Sequence, residues 1–405
     1  MSDLRASPSG SDLAQHWTHE PGVCFLNHGS FGGCPRQVLA AQDTYRAMME
    51  AEPVRYFVEL AMDLLDTSRA KIARMIKCDP AGLVFVPNAT TAVATILDCA
   101  GLRHGDEVLV TSQEYPACRH NVARLCERAG ARVITAVIPM PVVDEEQIVS
   151  SIMSALTPRT RLALISHTTS TGAIILPVAR LVRELADRGV DTIVDGAHGV
   201  GFIPLDVASI GAAWYTTNCH KWLCAPKGAA VLHVREDKRE RMHPLVLSNF
   251  APSGIAGRGK LQVEFDYVGT SDVTAWIAAG DAVDIMAKIV PGGWNEIMRR
   301  NHTLAMDGRD VIRRALEAEV IVPDHMCGSM ALIPLPPAKD DVDKPVRYQD
   351  ALQDVLVDRH RIQVPVYRIG ERGQRVVRIS AQVYNAIGQY AFLAEALGEE
   401  LKRGV

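Results

Sequence analysis

Apolar positions follow two different periods along the middle of the chain. Short runs rich in Val, Ile and Leu alternate with longer segments in which apolar residues recur every three or four positions. The runs predict strands at about 83–86, 107–111, 131–137, 161–166, 190–195 and 213–216, and the segments predict helices at about 116–129, 145–156 and 177–188. This alternation is typical of an α/β fold with a largely parallel sheet and helices on both faces. In such folds the ligand binds beyond the carboxyl ends of the strands.

The pattern changes at both ends of this region. Helices are predicted at about 35–50 and 58–77, and a long helix is predicted at about 291–318. The remainder predicts a smaller α+β domain, with strands at about 329–334, 362–366 and 375–380 and helices at about 347–357 and 384–402. We therefore expect a flexible N-terminal arm over residues 1–22, a large α/β domain over 23–290 and a small C-terminal domain over 291–405.

Composition narrows the class of protein. With 405 residues, of which 48% are hydrophobic, the chain can bury a large core. A formal net charge of -4 and scattered basic residues give no electrostatic reason to expect a nucleic acid or an anionic membrane as partner. No apolar window approaches the roughly 20 residues that a membrane span needs. The nine cysteines form no C-x-x-C pair, so we expect reduced thiols in a cytoplasmic protein and no metal site.

Two polar segments lie where predicted strands end. Residues 218–222 read Asn-Cys-His-Lys-Trp, and residues 195–198 read Asp-Gly-Ala-His. A lysine in apolar surroundings has a lowered pKa and becomes a nucleophile or Schiff-base former, although Lys221 could also be a solvated loop residue. A carboxylate such as Asp195 at the end of a buried strand needs a partner. In pyridoxal phosphate (PLP) sites that partner is the pyridine nitrogen, and a lysine carries the cofactor.

The Asp-x-x-His and Asn-x-His-Lys-Trp motifs, in this order and with Lys221 26 residues after Asp195, resemble those of the class V aminotransferase family. These are PLP-dependent enzymes of fold type I, and the resemblance extends from about residue 23 to 402. The wording Leu-Asn-His-Gly-Ser-Phe-Gly at residues 26–32 and Arg-Tyr-Phe at residues 55–57 is closest to the isopenicillin N epimerase-like subgroup, which also includes C–S lyases. The resemblance implies a mainly parallel, seven-stranded type of sheet and PLP as cofactor.

The resemblance also assigns cofactor contacts. Lys221 would bind PLP, Asp195 would keep the pyridine nitrogen protonated, and His198 would lie close to the cofactor or substrate. A helix N-terminus binds anions, and relatives hold the phosphate at the position of Thr90 and Thr91, although N-capping alone would also explain polar residues there. The remaining implied contacts are Asn218 and His220 to the phosphate, Tyr115 on the pyridine ring, and Thr169 or Ser170 to the phenolic oxygen.

The substrate side is predicted less directly. Arg378 lies in an Arg-Ile-Ser segment that matches the carboxylate anchor of relatives, and a guanidinium can bind an α-carboxylate through two hydrogen bonds. A strand-edge ion pair is the alternative, and Arg375 should point to the opposite face of the strand. Asn27 and His28 are predicted on the substrate side or as turn residues. Arg55 is predicted to contact the substrate or a subunit interface, with a surface ion pair as the alternative. Tyr56 is predicted to contact the substrate.

One motif bears on assembly. In the family a Gly-Thr pair completes the phosphate site of the partner subunit, so Thr270 implies a homodimer with composite active sites, although it could simply cap a helix.

The reaction is left open between a few choices. Motif wording favours an isopenicillin N epimerase-like epimerisation at Cα of an amino acid, with His28, Tyr56 or His198 as candidate second proton donors. The alternatives are C–S β-elimination, as in hercynylcysteine sulfoxide lyase-like enzymes, and transamination. A cysteine desulfurase is less expected, because Cys327 precedes an apolar strand rather than lying on a reaching loop. A PLP-binding protein without turnover is the rival from another class.

Overall fold

Strands and helices alternate along the chain largely as the hydrophobic pattern predicts. The computed structural model describes residues 7–252, 254–338, 346–370 and 372–405. The strands are β1 (Cys24–Phe25), β2 (Leu83–Val86), β3 (Glu107–Thr111), β4 (Arg132–Ala136), β5 (Thr160–Ser166), β6 (Asp191–Asp195), β7 (Trp214–Asn218), β8 (Ala230–Val234), β9 (Met330–Pro334), β10 (Ile362–Gln363), β11 (Val366–Ile369) and β12 (Gln374–Ser380).

The helices surround these strands. They are α1 (His28–Phe31), α2 (Arg36–Ala51), α3 (Pro53–Arg55), α4 (Ala61–Ile76), α5 (Ala89–Cys99), α6 (Pro116–Ala129), α7 (Glu145–Ser154), α8 (Val178–Ala186), α9 (Val207–Ile210), α10 (Lys260–Asp266), α11 (Thr274–Met286), α12 (Gly293–Leu316), α13 (Ala351–His360) and α14 (Ile387–Lys402). Short 3-10 turns cover Asp12–His16, Pro80–Gly82, Glu236–Arg241 and Asp324–Met326, and a π-helical turn covers Tyr56–Leu60.

The large sheet has seven strands in the order β2-β8-β7-β6-β5-β3-β4. Neighbouring strands from β7 to β4 are parallel, whereas β8 is antiparallel to both β7 and β2. Every residue of β3, β7 and β8 is buried, as expected for a sheet covered by helices on both faces. The α/β fold with a mainly parallel seven-stranded sheet is therefore confirmed.

The covering helices bury one apolar stripe each. Helix α8 is an example, because its buried residues Val178, Leu181, Val182 and Leu185 recur at intervals of three and four. Helix α5 begins after Asn88, whose side chain accepts a hydrogen bond from the Thr91 amide at 2.8 Å. Strand β2 therefore leads directly into the capped start of helix α5.

The carboxyl ends of the parallel strands meet at one edge of the sheet. Ser166 of β5 pairs with Asp195 of β6, and Asp195 pairs with Thr216 of β7. This register brings the ends of β5, β6 and β7 side by side. The predicted functional segments follow these ends directly.

The C-terminal region is a smaller α+β unit. Strands β11, β12 and β9 form an antiparallel sheet in that order, and helices α12 and α14 pack against each other beside it. Their contact is close, since a Cβ added at Gly308 would approach Tyr390 Cδ1 at 2.6 Å. The exact division of the chain into domains at residue 290 stays a prediction.

Two elements differ from the sequence prediction. The strand expected at 362–366 is split into β10 and β11, because Pro365 has no amide hydrogen for a ladder and the two halves pair with different strands, β1 and β12. Strand β8 was not predicted at all. Its apolar run directly follows the Lys221 segment and returns antiparallel to β7.

The described part of the N-terminal arm forms hydrogen bonds with the rest of the chain. Residues 1–6 lie outside the described residues, but the Ser11 amide donates to the Tyr384 carbonyl at 2.9 Å. The buried Trp17 side chain donates through Nε1 to the Gly33 carbonyl at 3.2 Å. These hydrogen bonds attach the described part of the arm to the rest of the chain, and its polar composition gave no sign of them. A flexible arm over residues 1–22 stays a prediction.

Among the described residues, no helix is both long enough and apolar enough to cross a bilayer.

Candidate active site

A cavity of about 520 Å³ lies at the carboxyl edge of the large sheet. Its size is within the usual range for a small-molecule site. Nine of the residues predicted from the sequence line it: Thr90, Thr91, Tyr115, Ser170, Asp195, His198, Asn218, His220 and Lys221. Residues that were not predicted also line it: Ser30, Phe31, Asn88, Ser166 and Thr168.

Lys221 lines this cavity, with its side chain partly exposed to it. Its Nζ lies 3.2 Å from Nε2 of His198. Burial, followed by the positive charge of Arg378, lowers the pKa of Lys221 to about 8, and the nearby Asp195 carboxylate opposes this shift. A lysine with such a pKa is neutral in about a tenth of molecules at pH 7, far more than an ordinary lysine, and is therefore a competent nucleophile and base.

His198 is held between two neighbours. The Trp222 indole donates through Nε1 to Nδ1 of His198 at 3.0 Å, while the other ring nitrogen faces Lys221. Burial and the adjacent Lys221 charge lower the pKa of His198 well below its ordinary value. His198 is therefore neutral in this surrounding.

Asp195 ends strand β6 with its carboxylate buried. One oxygen accepts from the Ala197 amide at 2.9 Å, and the other lies 3.4 Å from Sγ of Cys118. Burial raises the pKa of Asp195, and the Ala197 amide and the Lys221 charge oppose that rise. A cationic group bound next to this carboxylate would favour its ionised form.

The start of helix α5 forms the other end of the cavity. The Asn88 side chain caps the helix, and Oδ1 of Asn218 accepts from the Ala89 amide at 2.9 Å. The Thr90 amide finds no acceptor among the residues that the structure describes. Capping and an open anion site therefore coexist at this helix N-terminus.

His220 lies beside this helix start. Its Nδ1 contacts the Ala229 carbonyl at 3.0 Å, so Nδ1 is the donor and Nε2 remains available on the cavity side. Burial and the Lys221 charge lower the pKa of His220 to about 4. An anion bound in the cavity would raise that pKa.

The segment after strand β5 resolves one choice left open by the sequence. Thr169 is buried away from the cavity, and its Oγ1 accepts from the Ile174 amide at 3.1 Å, whereas Ser170 lines the cavity. Thr168 also lines it, and its buried Oγ1 has no hydrogen-bond partner among the described residues. An unsatisfied buried hydroxyl facing a cavity is suited to a bound polar ligand.

Arg378 of strand β12 does not line the cavity itself but contacts two residues that do, Ser30 and Ser170. Its guanidinium donates to Asn27 Oδ1 at 3.2 Å, to Ser30 Oγ at 3.0 Å and to the Ser170 carbonyl, and it lies 5.3 Å from the centre of the Tyr367 ring. The side chain is only 1% exposed. Within the described residues it forms no ion pair with a carboxylate, and its Nε has no partner.

Arg375 behaves as predicted for the other face of the strand. It forms a buried ion pair with Asp350, with Nε 2.9 Å from Oδ2. The two arginines of β12 therefore have different surroundings, one paired and one without a carboxylate.

His28 lies behind the lysine rather than in the cavity lining. Its Nε2 contacts the Lys221 carbonyl at 3.0 Å and its Nδ1 contacts the Tyr384 hydroxyl at 2.9 Å. Burial lowers the pKa of His28 to about 3. Both ring nitrogens are thus occupied in holding the Lys221 backbone, which is the turn role left open for His28 by the sequence. Asn27 contacts Arg378 and not the cavity.

Three further predicted residues also lie outside the lining of the cavity. Arg55 is exposed and pairs with Glu52 and Glu59, as the surface alternative anticipated. The Tyr56 ring is buried, and its hydroxyl has no partner among the described residues. Thr270 is exposed, with its hydroxyl 3.1 Å from that of Tyr267.

Glu114 is a site-related residue that the sequence analysis missed. Its carboxyl group accepts from the Ser166 amide at 3.0 Å, from the Ser166 hydroxyl at 2.5 Å and from the Thr111 hydroxyl at 2.8 Å. Burial raises the pKa of Glu114 to about 7. The available signal was a glutamate three residues after an apolar strand. Glu114 positions Ser166, which lines the cavity.

The donor set fits PLP. A neutral lysine amine suits an aldehyde carbon, a buried carboxylate suits a protonated pyridine nitrogen, and a helix N-terminus with a free amide suits a phosphate. These three groups line one cavity. The unpartnered Thr168 hydroxyl adds a polar contact that the protein itself does not satisfy.

Comparisons with known proteins agree with this geometry. The family model described as "Aminotransferase class-V" matches residues 30–385. A putative L-cysteine desulfhydrase of Oryza sativa subsp. japonica is 31% identical, covering 95% of this chain and 85% of the relative. An isopenicillin N epimerase of Amycolatopsis lactamdurans is 33% identical, covering 94% and 96%.

Solved structures show the same fold. Two structures of the cystine C–S lyase C-DES, one with glycine covalently linked to its PLP cofactor and one with cysteine persulfide, match with TM-scores of 0.77 and 0.76. They are 19% and 20% identical and cover 93% of this chain and 96% and 97% of the other. The chain therefore belongs to the class V aminotransferase family and is a PLP-dependent enzyme of fold type I.

Proposed function

We propose that the enzyme is a C–S β-lyase that acts on cysteine or a cysteine-derived amino acid. The names of the relatives allow either an elimination or an epimerisation. Elimination is favoured because the side chains that could have served as a second proton donor are hydrogen-bonded elsewhere or lie away from the cavity. An elimination needs one base at Cα and a good leaving group, whereas a two-base epimerisation needs a donor on each face.

The residues around the cavity support a role for each part of the substrate. Arg378 would bind the α-carboxylate, because it is a buried cation without a carboxylate partner among the described residues. The neutral amine of Lys221 would remove the proton from Cα, and Asp195 would hold the proton on the pyridine nitrogen. PLP supplies the electron sink that stabilises the negative charge left at Cα.

The candidate second donors are otherwise occupied. Both ring nitrogens of His28 are hydrogen-bonded, one to Tyr384 and one to the Lys221 carbonyl. Tyr56 does not line the cavity. His198 contacts Lys221 itself, so it lies beside the base and not opposite to it. These contacts support a one-base reaction.

Epimerisation remains the second candidate because of Tyr115. This tyrosine lines the cavity and is 44% exposed, so its hydroxyl is the described side chain best suited to return a proton from another direction. Burial raises its pKa, which favours the protonated form that such a donor needs.

Desulfuration through a protein persulfide is disfavoured. That reaction needs an accessible thiolate, but Cys327 is 5% exposed and burial raises its pKa to about 12. Replacing Cys327 with Ser should therefore leave any sulfur release unchanged.

The reaction is tested by incubating the purified enzyme with a panel of amino acids in deuterated water. Elimination from cysteine would release sulfide, pyruvate and ammonia in equal amounts, with the β-carbon–sulfur bond broken. Deuterium at Cα in both stereoisomers, without a keto acid, would instead establish epimerisation. Accumulation of pyridoxamine phosphate would establish transamination.

We also propose that the enzyme is a cytoplasmic homodimer. Exposed apolar side chains near the cavity mouth and around Arg55 support a subunit contact: Phe31 is 73% exposed, and Val54 and Val58 are similarly exposed. In such a dimer Thr270 would approach the phosphate end of the partner's cavity. All nine cysteines are free thiols, which is compatible with a reducing compartment.

A further inference from the structure

The contact between Trp222 and His198 restricts where His198 can carry its proton. An indole nitrogen can only donate a hydrogen bond. Because Trp222 Nε1 lies 3.0 Å from Nδ1 of His198, Nδ1 must be the acceptor and must be unprotonated. A neutral His198 then carries its hydrogen on Nε2, the nitrogen that lies 3.2 Å from Lys221 Nζ.

We infer that Trp222 is a positioning residue that fixes His198 as the Nε2–H tautomer, so that His198 presents a hydrogen-bond donor and not a base towards Lys221 and the bound cofactor. The inference uses the proposed placement of PLP in the cavity. It does not depend on whether the reaction is an elimination or an epimerisation.

Trp222 is itself held so that the contact cannot relax. Its side chain is fully buried, and its ring packs against the rings of His28 and Phe202, each with a centroid distance of 4.8 Å. The His28 ring is fixed in turn by Tyr384 and the Lys221 carbonyl. Rotation of the indole away from His198 would require several buried rings to move together.

The fixed tautomer has a consequence for Lys221. An Nε2–H group can donate to the lone pair of a neutral amine, whereas it opposes an ammonium group, which has only hydrogens to offer. The contact therefore favours the neutral form that Lys221 needs as a nucleophile and base. It also prevents His198 from accepting the proton that Lys221 removes.

The surroundings of His198 act in the same direction. Burial, and then the positive charges of Lys221 and Arg378, disfavour a proton on His198. Asp195 is the nearby anion, but its oxygens contact the Ala197 amide and Cys118. Among the described residues, no carboxylate contacts either nitrogen of His198.

The first test is the tautomer itself. Nitrogen-15 NMR of the substrate-free holoenzyme, labelled at histidine and assigned with a His198→Gln variant, should give an unprotonated Nδ1 and a protonated Nε2. A protonated Nδ1 in the wild-type enzyme would overturn the inference without any further variant. The Trp222→Phe enzyme keeps an aromatic ring but loses the donor, and it should give the Nδ1–H tautomer or a mixture.

The matched control is Trp214→Phe. Trp214 is also buried, at the far end of strand β7, and its indole nitrogen has no hydrogen-bond partner among the described residues. This variant removes an equivalent N–H group and should leave the His198 signals unchanged. If both substitutions changed the His198 signals equally, the cause would be a general change in core packing, and the role assigned to Trp222 would be wrong.

A second readout is the pH midpoint of the visible absorbance of the lysine-bound cofactor. With Nδ1 free to take the hydrogen, Nε2 in Trp222→Phe can accept a hydrogen bond from the protonated chromophore. The midpoint should then rise by on the order of 0.5 to 1 pH unit, which corresponds to the loss of one hydrogen-bond preference. An unchanged midpoint together with an unchanged tautomer would refute the inference, and neither measurement involves turnover.

Discussion

The surroundings of Lys221 predict how its reaction with the cofactor depends on pH. Its pKa is lowered to about 8, first by burial and then by the Arg378 charge. Only the neutral amine attacks an aldehyde, so the rate of PLP incorporation into cofactor-free enzyme should rise with pH and level off above about 8. Between pH 8 and 9.5 the rate should increase about two-fold, whereas an unperturbed lysine would give roughly thirty-fold.

Reconstitution followed by stopped-flow absorbance provides this measurement. Lys227→Ala is a suitable control, because Lys227 is exposed and does not line the cavity. Its profile should match the wild type. A rate that continues to climb beyond pH 9.5 would contradict the lowered pKa.

The two arginines of strand β12 offer a matched comparison of function and stability. Arg378→Lys keeps a positive charge but loses the forked geometry for a carboxylate, so kcat/KM should fall by about 100-fold, mostly through KM. Arg375→Lys disturbs the buried pair with Asp350, so Tm should fall while KM stays near the wild-type value. Steady-state kinetics and thermal unfolding of both variants check the pattern. If Arg378→Lys lowered Tm alone and Arg375→Lys raised KM, Arg378 would not be the residue that binds the carboxylate.

At the scale of elements, the short helix α1 packs directly against the lysine segment. Gly32 has a positive φ of 71°, and an added Cβ would lie 2.0 Å from the His220 carbonyl oxygen. The His220 backbone cannot move away from this Cβ without moving Lys221. Gly32→Ala should therefore destabilise the fold by roughly 3 kcal/mol or more and weaken cofactor retention.

Gly211→Ala separates the strain of a positive φ from the steric clash with His220. Gly211 has nearly the same φ, 72°, but its added Cβ would meet nothing within 4 Å. The expected loss is about 1 kcal/mol from backbone strain alone. Chemical denaturation of both variants gives the comparison, and equal losses would mean that the contact with His220 is not important.

Elements with a clear period were predictable, and elements defined by pairing were not. Strands such as β3 and helices such as α6 were predicted with their observed bounds, because burial on both faces and amphipathic spacing are written in the local sequence. The break between β10 and β11 depends on which distant strand each half pairs with. Strand β8 was missed because an antiparallel return does not follow the strand–helix alternation.

The same distinction holds in the cavity. Residues carried by motifs at strand ends, such as Asp195 and Lys221, were predictable because parallel strands bring their carboxyl ends together. Thr168 was not, since only the alternation of side chains after β5 decides that Thr168 and Ser170 face the cavity and Thr169 does not. The engagement of both His28 nitrogens depends on Tyr384, more than 350 residues away.

At the scale of the whole molecule, the cavity joins distant parts of the chain. Arg378 of the C-terminal region donates to Asn27 near the N-terminus and to the Ser170 carbonyl of the large sheet. A rearrangement of either region would therefore alter the surroundings of Arg378. The N-terminal residues are also attached to the segment that follows β12, through hydrogen bonds of Ser11.

The proposed dimer predicts that active sites are shared between subunits. Thr270 is exposed in one chain and lines no part of that chain's own cavity. If it completes the partner's phosphate site, Thr270→Glu should inactivate the enzyme by placing a negative charge beside the phosphate. Lys221→Ala inactivates the other half of the same site. A heterodimer of these two variants contains one site with both defects and one intact site, so it should recover about half of the wild-type activity.

Co-expression with two affinity tags isolates that heterodimer. The control pairs Lys221→Ala with Asp195→Ala, because both residues line the cavity of one chain. Each subunit of the control dimer then carries a defect in its own cavity, and no intact site can form. Recovery with Thr270→Glu but not with Asp195→Ala would establish composite sites. Equal recovery in both pairs would contradict composite sites. Full activity of a monomer in sedimentation would also contradict them, because a monomer has no second chain to supply Thr270.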